Sequence, residues 1–157
     1  MIFRLLPISI SSSLVLAGSL FGLNFAKDVA HAQTTNEFAQ QIRTQLDILA
    51  DSSQFEQYQP ILTHIDDIGL NVGESRDWDL PVEANVEYVV AAVCDNDCQN
   101  IDLELLEGDR VVDADREEGP YPIIVGITGE HSYRAKIIMR ACAVNPCYSG
   151  FRLFKLK

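Results

Sequence analysis

The chain is short of cations. It has 12 Lys and Arg against 23 Asp and Glu, with three His, for a formal net charge of −11. Binding to phosphate backbones needs clustered Lys and Arg, and so does binding to an anionic membrane surface. The charge therefore argues against nucleic acid and against an anionic membrane surface as partners, and suits cations. No Gly-x-Ser-x-Gly elbow occurs. Beyond residue 32 the only histidines are His64 and His131. Ser132 follows His131, but neighbours along a strand point to opposite faces, so the two do not form a nucleophile–base pair. After residue 32 no apolar run reaches the ~20 residues that a membrane span needs. There is no internal repeat and no low-complexity segment. Carboxylates are abundant enough for a hydrolytic Asp/Glu pair, yet none is singled out by spacing.

What the N-terminus does contain is an export-like segment. Arg4 supplies a positive start, Leu5 to Ala26 is mostly apolar, and Ala30-His31-Ala32 places small residues where a signal peptidase reads. Pro7, Ser9, Ser11, Ser12, Ser13 and Asn24 make the same stretch a poor membrane anchor. The expected organisation is a signal peptide over 1–32, a helical segment over 33–60 and one β domain over 61–157. Cleavage before Gln33 removes Arg4, Lys27 and Asp28, leaving 10 basic and 22 acidic residues and a net charge of −12. The protein is expected in the periplasm or outside the cell, with no stable membrane insertion after cleavage.

All four cysteines, Cys94, Cys98, Cys142 and Cys147, fall in the mature part. An even count behind an export signal reads as disulfides. Three pairings are open, and the spacing favours Cys94–Cys98 and Cys142–Cys147. Zinc is the rival reading, but zinc sites more often use a tighter Cys-x-x-Cys spacing.

Residues 36–50 are expected to be helical. Asn36 is placed to cap, and Phe38, Ile42, Leu46 and Leu49 recur at helical steps on one face. After Pro60 the period changes to two, with β-prone runs at Ile61–Ile68, Arg76–Val82, Val86–Cys94, Ile101–Leu106, Arg110–Asp113, Pro122–Thr128, Tyr133–Cys142 and Tyr148–Leu156. Short strands separated by Gly, Asn, Asp and Pro predict an all-β antiparallel sandwich or jelly roll with one N-terminal amphipathic helix. The order Gly69-Leu70-Asn71-Val72-Gly73, Trp78-Asp79-Leu80, the Tyr88 strand, Ile101-Asp102-Leu103-Glu104-Leu105 and the late Tyr133 strand resembles the bacterial pre-peptidase C-terminal domain, a secreted β-sandwich. The resemblance covers about residues 65–156. Ala84-Asn85 stands where that family often has an alanine-glycine turn, and the cysteine pairs resemble those of a cysteine-bearing subgroup.

Two acidic loops are candidate sites. Cys94-Asp95-Asn96-Asp97-Cys98 with nearby Asp102 has the oxygen density that suits Ca²⁺, with Asp95, Asp97 and Asp102 as ligands, and the family resemblance implies occasional calcium binding. The competing role for Asp and Asn here is turn formation. Asp113-Ala114-Asp115-Arg116-Glu117 alternates like a calcium loop but lacks the glycine and glutamate positions of an EF-hand. No cofactor is required. Among Trp78, Tyr88, Tyr121, Phe151 and Phe154, a potential carbohydrate platform, Tyr121 between two prolines is the one expected at the surface. The function expected is a non-catalytic binding or accessory module for an unknown protein or carbohydrate. The alternative is a small secreted hydrolase using a carboxylate pair.

Overall fold

The period-two runs become eight antiparallel strands in a computed structural model that describes residues 23–129 and 131–157. They are β1 (Tyr58–Ile65), β2 (Ser75–Leu80), β3 (Glu87–Cys94), β4 (Cys98–Glu107), β5 (Arg110–Asp115), β6 (Ile123–Thr128), β7 (Tyr133–Cys142) and β8 (Ser149–Leu156). Sheet I has the order β1-β8-β3-β6 and sheet II the order β2-β7-β4-β5. Between them lies the main core, built on Tyr88, Val90, Ala92, Ile101, Leu103, Ile137, Met139, Phe151 and Leu153. The sandwich expected from the sequence is therefore present.

Among the described residues one α-helix, α1 (Leu23–Ala50), covers the outer face of sheet I. Ile42 and Leu46 pack on Val93 and Tyr148, and the Phe38 ring stacks on Tyr148 at 4.6 Å between centroids. Farther along, Phe55 and Phe154 close over Val89 and Ala91. Sheet I is thus buried on both faces. That is why β3 reads as a nearly unbroken apolar run rather than an alternating one. Arg152 fixes the helix to the sheet. It is buried, and it donates to the Leu46 carbonyl (3.0 Å), the Asp47 carboxylate (2.8 Å) and Thr63 Oγ1 (2.9 Å).

The helix differs from the sequence expectation at its start. Asn36 lies inside it rather than capping it. Residues 23–35 contain neither Gly nor Pro, and each Thr or Asn costs only about 0.5 kcal/mol of helix propensity, too little to end a helix already formed. Residues 1–22 of the expected signal segment lie outside the described residues. No helix among the described residues is long and apolar enough to cross a membrane.

Turn chemistry follows the residues. Gly73 adopts φ 90° in the turn before β2, and Asn85 adopts φ 60° in the turn before β3. On edge strand β6, Val125 and Gly126 stand opposite a single β3 residue, with Gly126 at φ 73°. This bulge spoils the edge for pairing with another strand.

Candidate functional site

The two disulfides form as Cys94–Cys98 and Cys142–Cys147, with Cα separations of 5.8 and 6.0 Å. Cys98 lies in register with Cys142, so both bridges sit at one end of the sandwich. The Ala143 N–H donates to the Asp97 carbonyl at 2.7 Å and ties the two stapled loops together.

Asp95 is the keystone of this end. Its side chain is 2% exposed. Oδ2 accepts from the Tyr148 N–H at 2.7 Å, and Oδ1 accepts from the Cys98 N–H at 3.1 Å. Burial pushes the Asp95 carboxyl up from the usual carboxylate range, against the opposing pull of those N–H groups. Asp97 is half-buried in the same loop. Asp102 instead lies on the outer face of sheet II, where Arg140 Nε donates to Oδ2 at 2.6 Å. Among the described residues no three His, Cys, Asp or Glu side chains are gathered as a metal site requires. Asp95 and Asp102 are already engaged, one with backbone N–H groups and the other with a guanidinium.

In the second acidic loop, Asp115 Oδ2 accepts from the Ile123 N–H at 2.8 Å and Oδ1 from the Glu117 N–H at 3.1 Å. Arg116 turns away to Glu104 on sheet II at 2.8 Å. Glu104 also meets Lys136 at 3.4 Å. Asp102 and Glu104 thus lie two residues apart on the outer face of sheet II, and both are committed to cations. Burial works to raise the Glu104 carboxyl, but Arg116 and Lys136 outweigh it and hold it below the usual glutamate range. A general acid needs the opposite shift. The alternation of β4 sets these two side chains on the face opposite Ile101, Leu103 and Leu105. Only 3% and 6% exposed, they lie under long side chains from β7 and the 116 loop.

The five aromatics separate cleanly. Tyr88, Phe151 and Phe154 are buried, and Trp78 packs half-buried against His64 and Phe151, with ring centroids 4.6 and 5.6 Å away. Burial lowers the His64 imidazole, with nearby Asp66 and Asp67 opposing and Arg76 adding to the fall. Tyr121 alone of the five is exposed, at 52%.

Tyr121 stands at a groove that the sequence does not reveal. With Ile48, Leu49, Gln45, Ser52 and Gln54 it lines an open hollow of about 350 Å³ between the last turns of α1 and the approach to β6. Ile48 is 67% exposed, off the core stripe of the helix. A second hollow, of about 250 Å³, adjoins it through Tyr121 and is lined by Asp115, Glu117 and Glu118 together with Gly119, Pro120 and Pro122. A third, of about 130 Å³, shares Gln54 and reaches Val125 on the β6 bulge. Ile48 and Tyr121 are far apart in the chain, so no local period betrays their meeting. The available signal was two apolar side chains left over once each element's core face had been assigned.

No protein-family model matches the chain. No curated protein matches it either.

Proposed function

We propose that this protein is an exported, non-catalytic binding or accessory module, and that the Ile48–Tyr121 groove is where it engages its partner. The observation that carries the reading is the groove itself, an apolar concavity framed by the end of α1 and the loop that leads into β6, with Ile48 and Tyr121 left in solvent. Placement in the periplasm or extracellular space rests on the export-like N-terminus and on the two disulfides, which fit an oxidising compartment. We extend the likeness to the pre-peptidase C-terminal domain to the same proposal, on the residues quoted for it. That extension speaks to architecture, and function must come from the site.

The hydrolase alternative gains no support from the carboxylates described. Asp102 and Glu104 are ion-paired, and Asp95 is buried under backbone donors. The test is recovery of partners from the exported fraction with the native protein and with an Ile48→Ser/Tyr121→Ser variant. A partner held by the first and lost by the second is the expected result. Equal recovery by both, or turnover of a glycan, ester or peptide abolished by one carboxylate substitution, would contradict the proposal.

A further inference from the structure

We infer that the groove takes a polypeptide segment carrying apolar side chains flanked by Lys or Arg; this rests on the binding reading above and names the chemistry of the partner. Three features of the structure lead to it.

The first is the division of labour between adjoining hollows. One carries Ile48, Leu49 and Tyr121 among uncharged polar residues, the other carries Asp115, Glu117 and Glu118 beside Pro120 and Pro122, and Tyr121 belongs to both. A ligand spanning them meets an apolar seat and then a cluster of negative charge.

The second is that this charge is uncompensated. Among the described residues Glu117 and Glu118 have no ion-pair partner. Arg116, the one cation between Asp113 and Pro122, is spent on Glu104 across the sheet II face. Asp115 is spent on backbone N–H groups and shapes the loop. Glu117 and Glu118 are both exposed and therefore project a negative rim with no cation at ion-pair distance among the described residues. A cationic partner is drawn to it and oriented by it. A second copy of this chain is disfavoured, because each copy carries a net charge of −11 and the same acidic rim.

The third is the β6 edge. Its bulge at Val125-Gly126 breaks the ladder register, so the partner is not received as an added strand. It docks through side chains, one or two of them seated in the hollow.

The test titrates the purified protein with a short synthetic peptide of Leu and Lys, at about 0.15 M salt to screen long-range attraction. Two further peptides replace Lys by Glu or Leu by Ser. Binding is read by fluorescence anisotropy, and the contact surface by amide chemical-shift changes. The Leu/Lys peptide is expected to bind and to shift residues of the groove, and both altered peptides to bind far more weakly. Glu117→Gln/Glu118→Gln should weaken binding by roughly 2- to 30-fold, the range for two exposed charge pairs. Ile48→Ser/Tyr121→Ser should weaken it about tenfold or more, as loss of an apolar anchor does. All four side chains are exposed, so the variants should fold, which circular dichroism verifies. The control is Asp67→Asn/Asp79→Asn, which removes the same charge from exposed positions away from the groove.

An equal loss with that control would reduce the effect to bulk charge and overturn the inference. So would equal binding of the Leu/Glu peptide, or no binding of any peptide. The broader reading fails separately. If partners from the exported fraction still depend on Ile48 and Tyr121 while Glu117→Gln/Glu118→Gln changes nothing, the groove is a binding site but the cationic partner is wrong.

Discussion

Replacing Asp95 by Ala removes a carboxylate whose two oxygens hold two separate strands' ends. The Tyr148 N–H, at 2.7 Å from Oδ2, has no other acceptor in its bonding pattern and is left unsatisfied. An orphaned buried donor costs ~1–3 kcal/mol, toward the upper end when the lost acceptor is charged. The Cys98 N–H fares better, because it also reaches the Asp95 carbonyl at 3.2 Å, which the substitution keeps. That loss is ~0.5–1 kcal/mol. Relief of the buried charge returns part of the total, so the net cost at neutral pH is about 2–3 kcal/mol. The pH dependence carries the sharper test. The folded Asp95 carboxyl lies above its unfolded value because of burial. Its contribution to stability is then fully present below the unfolded pKa and is lost as pH rises through the folded one. The native protein gains stability from this group as pH falls toward the ordinary carboxylate range, and the Ala variant does not. The cost of Asp95→Ala should therefore grow between pH 7 and pH 4. Urea denaturation at several pH values, with disulfides verified intact by mass, measures it. A cost below about 1 kcal/mol, or one that shrinks as pH falls, would refute the reasoning.

Glu104→Gln should show the opposite slope. Its carboxyl is held low by Arg116 and Lys136 against burial, so its contribution is present above the unfolded glutamate pKa and lost as pH falls through the folded one. Denaturation curves of Glu104→Gln and the native protein should accordingly converge at acid pH. Cys94→Ala/Cys98→Ala and Cys142→Ala/Cys147→Ala should each cost about 2 kcal/mol, the chain-entropy value for loops this short, seen as a lower urea midpoint with unchanged slope. Arg152→Met should loosen α1 from sheet I, since it deletes the two hydrogen bonds that cross that interface, to the Leu46 carbonyl and the Asp47 carboxylate. Hydrogen exchange should then rise at residues 42–50 while the β3 amides stay protected. Millimolar Ca²⁺ should leave the melting temperature of the native protein unchanged, because Asp95 and Asp102 are already engaged; a rise of several degrees would show a cation site.

The strands were legible because most follow a period of two broken by Gly, Asn and Pro, and each of the eight falls within a few residues of where that pattern puts it. The cysteine spacing likewise favoured the pairing that forms. The helix start was not legible, since a permissive stretch of Thr and Asn looks like a boundary when nothing shows what lies before it. The burial of Asp102 and Glu104 was hidden for a different reason. Alternation tells which face a residue occupies, but not that cations from β7 and from the loop after β5 will roof that face over. The role of Asp95 was half legible. Its place in a tight Asp-Asn-Asp loop announced turn chemistry, while its bond to Tyr148, 53 residues on, is a product of topology. The groove was least legible, because a binding surface between distant segments has no sequence period of its own.

The proposed role stands on the groove meeting a partner in the compartment where the protein works. Photo-crosslinking in intact cells tests it most directly, with a photoreactive phenylalanine at position 48 or 121 and a control at position 79 on the outer face of sheet II. Adducts are expected from positions 48 and 121 and not from 79, with the attached peptide rich in Lys or Arg beside apolar residues. Adducts formed equally from all three positions, or from position 79 alone, would contradict it.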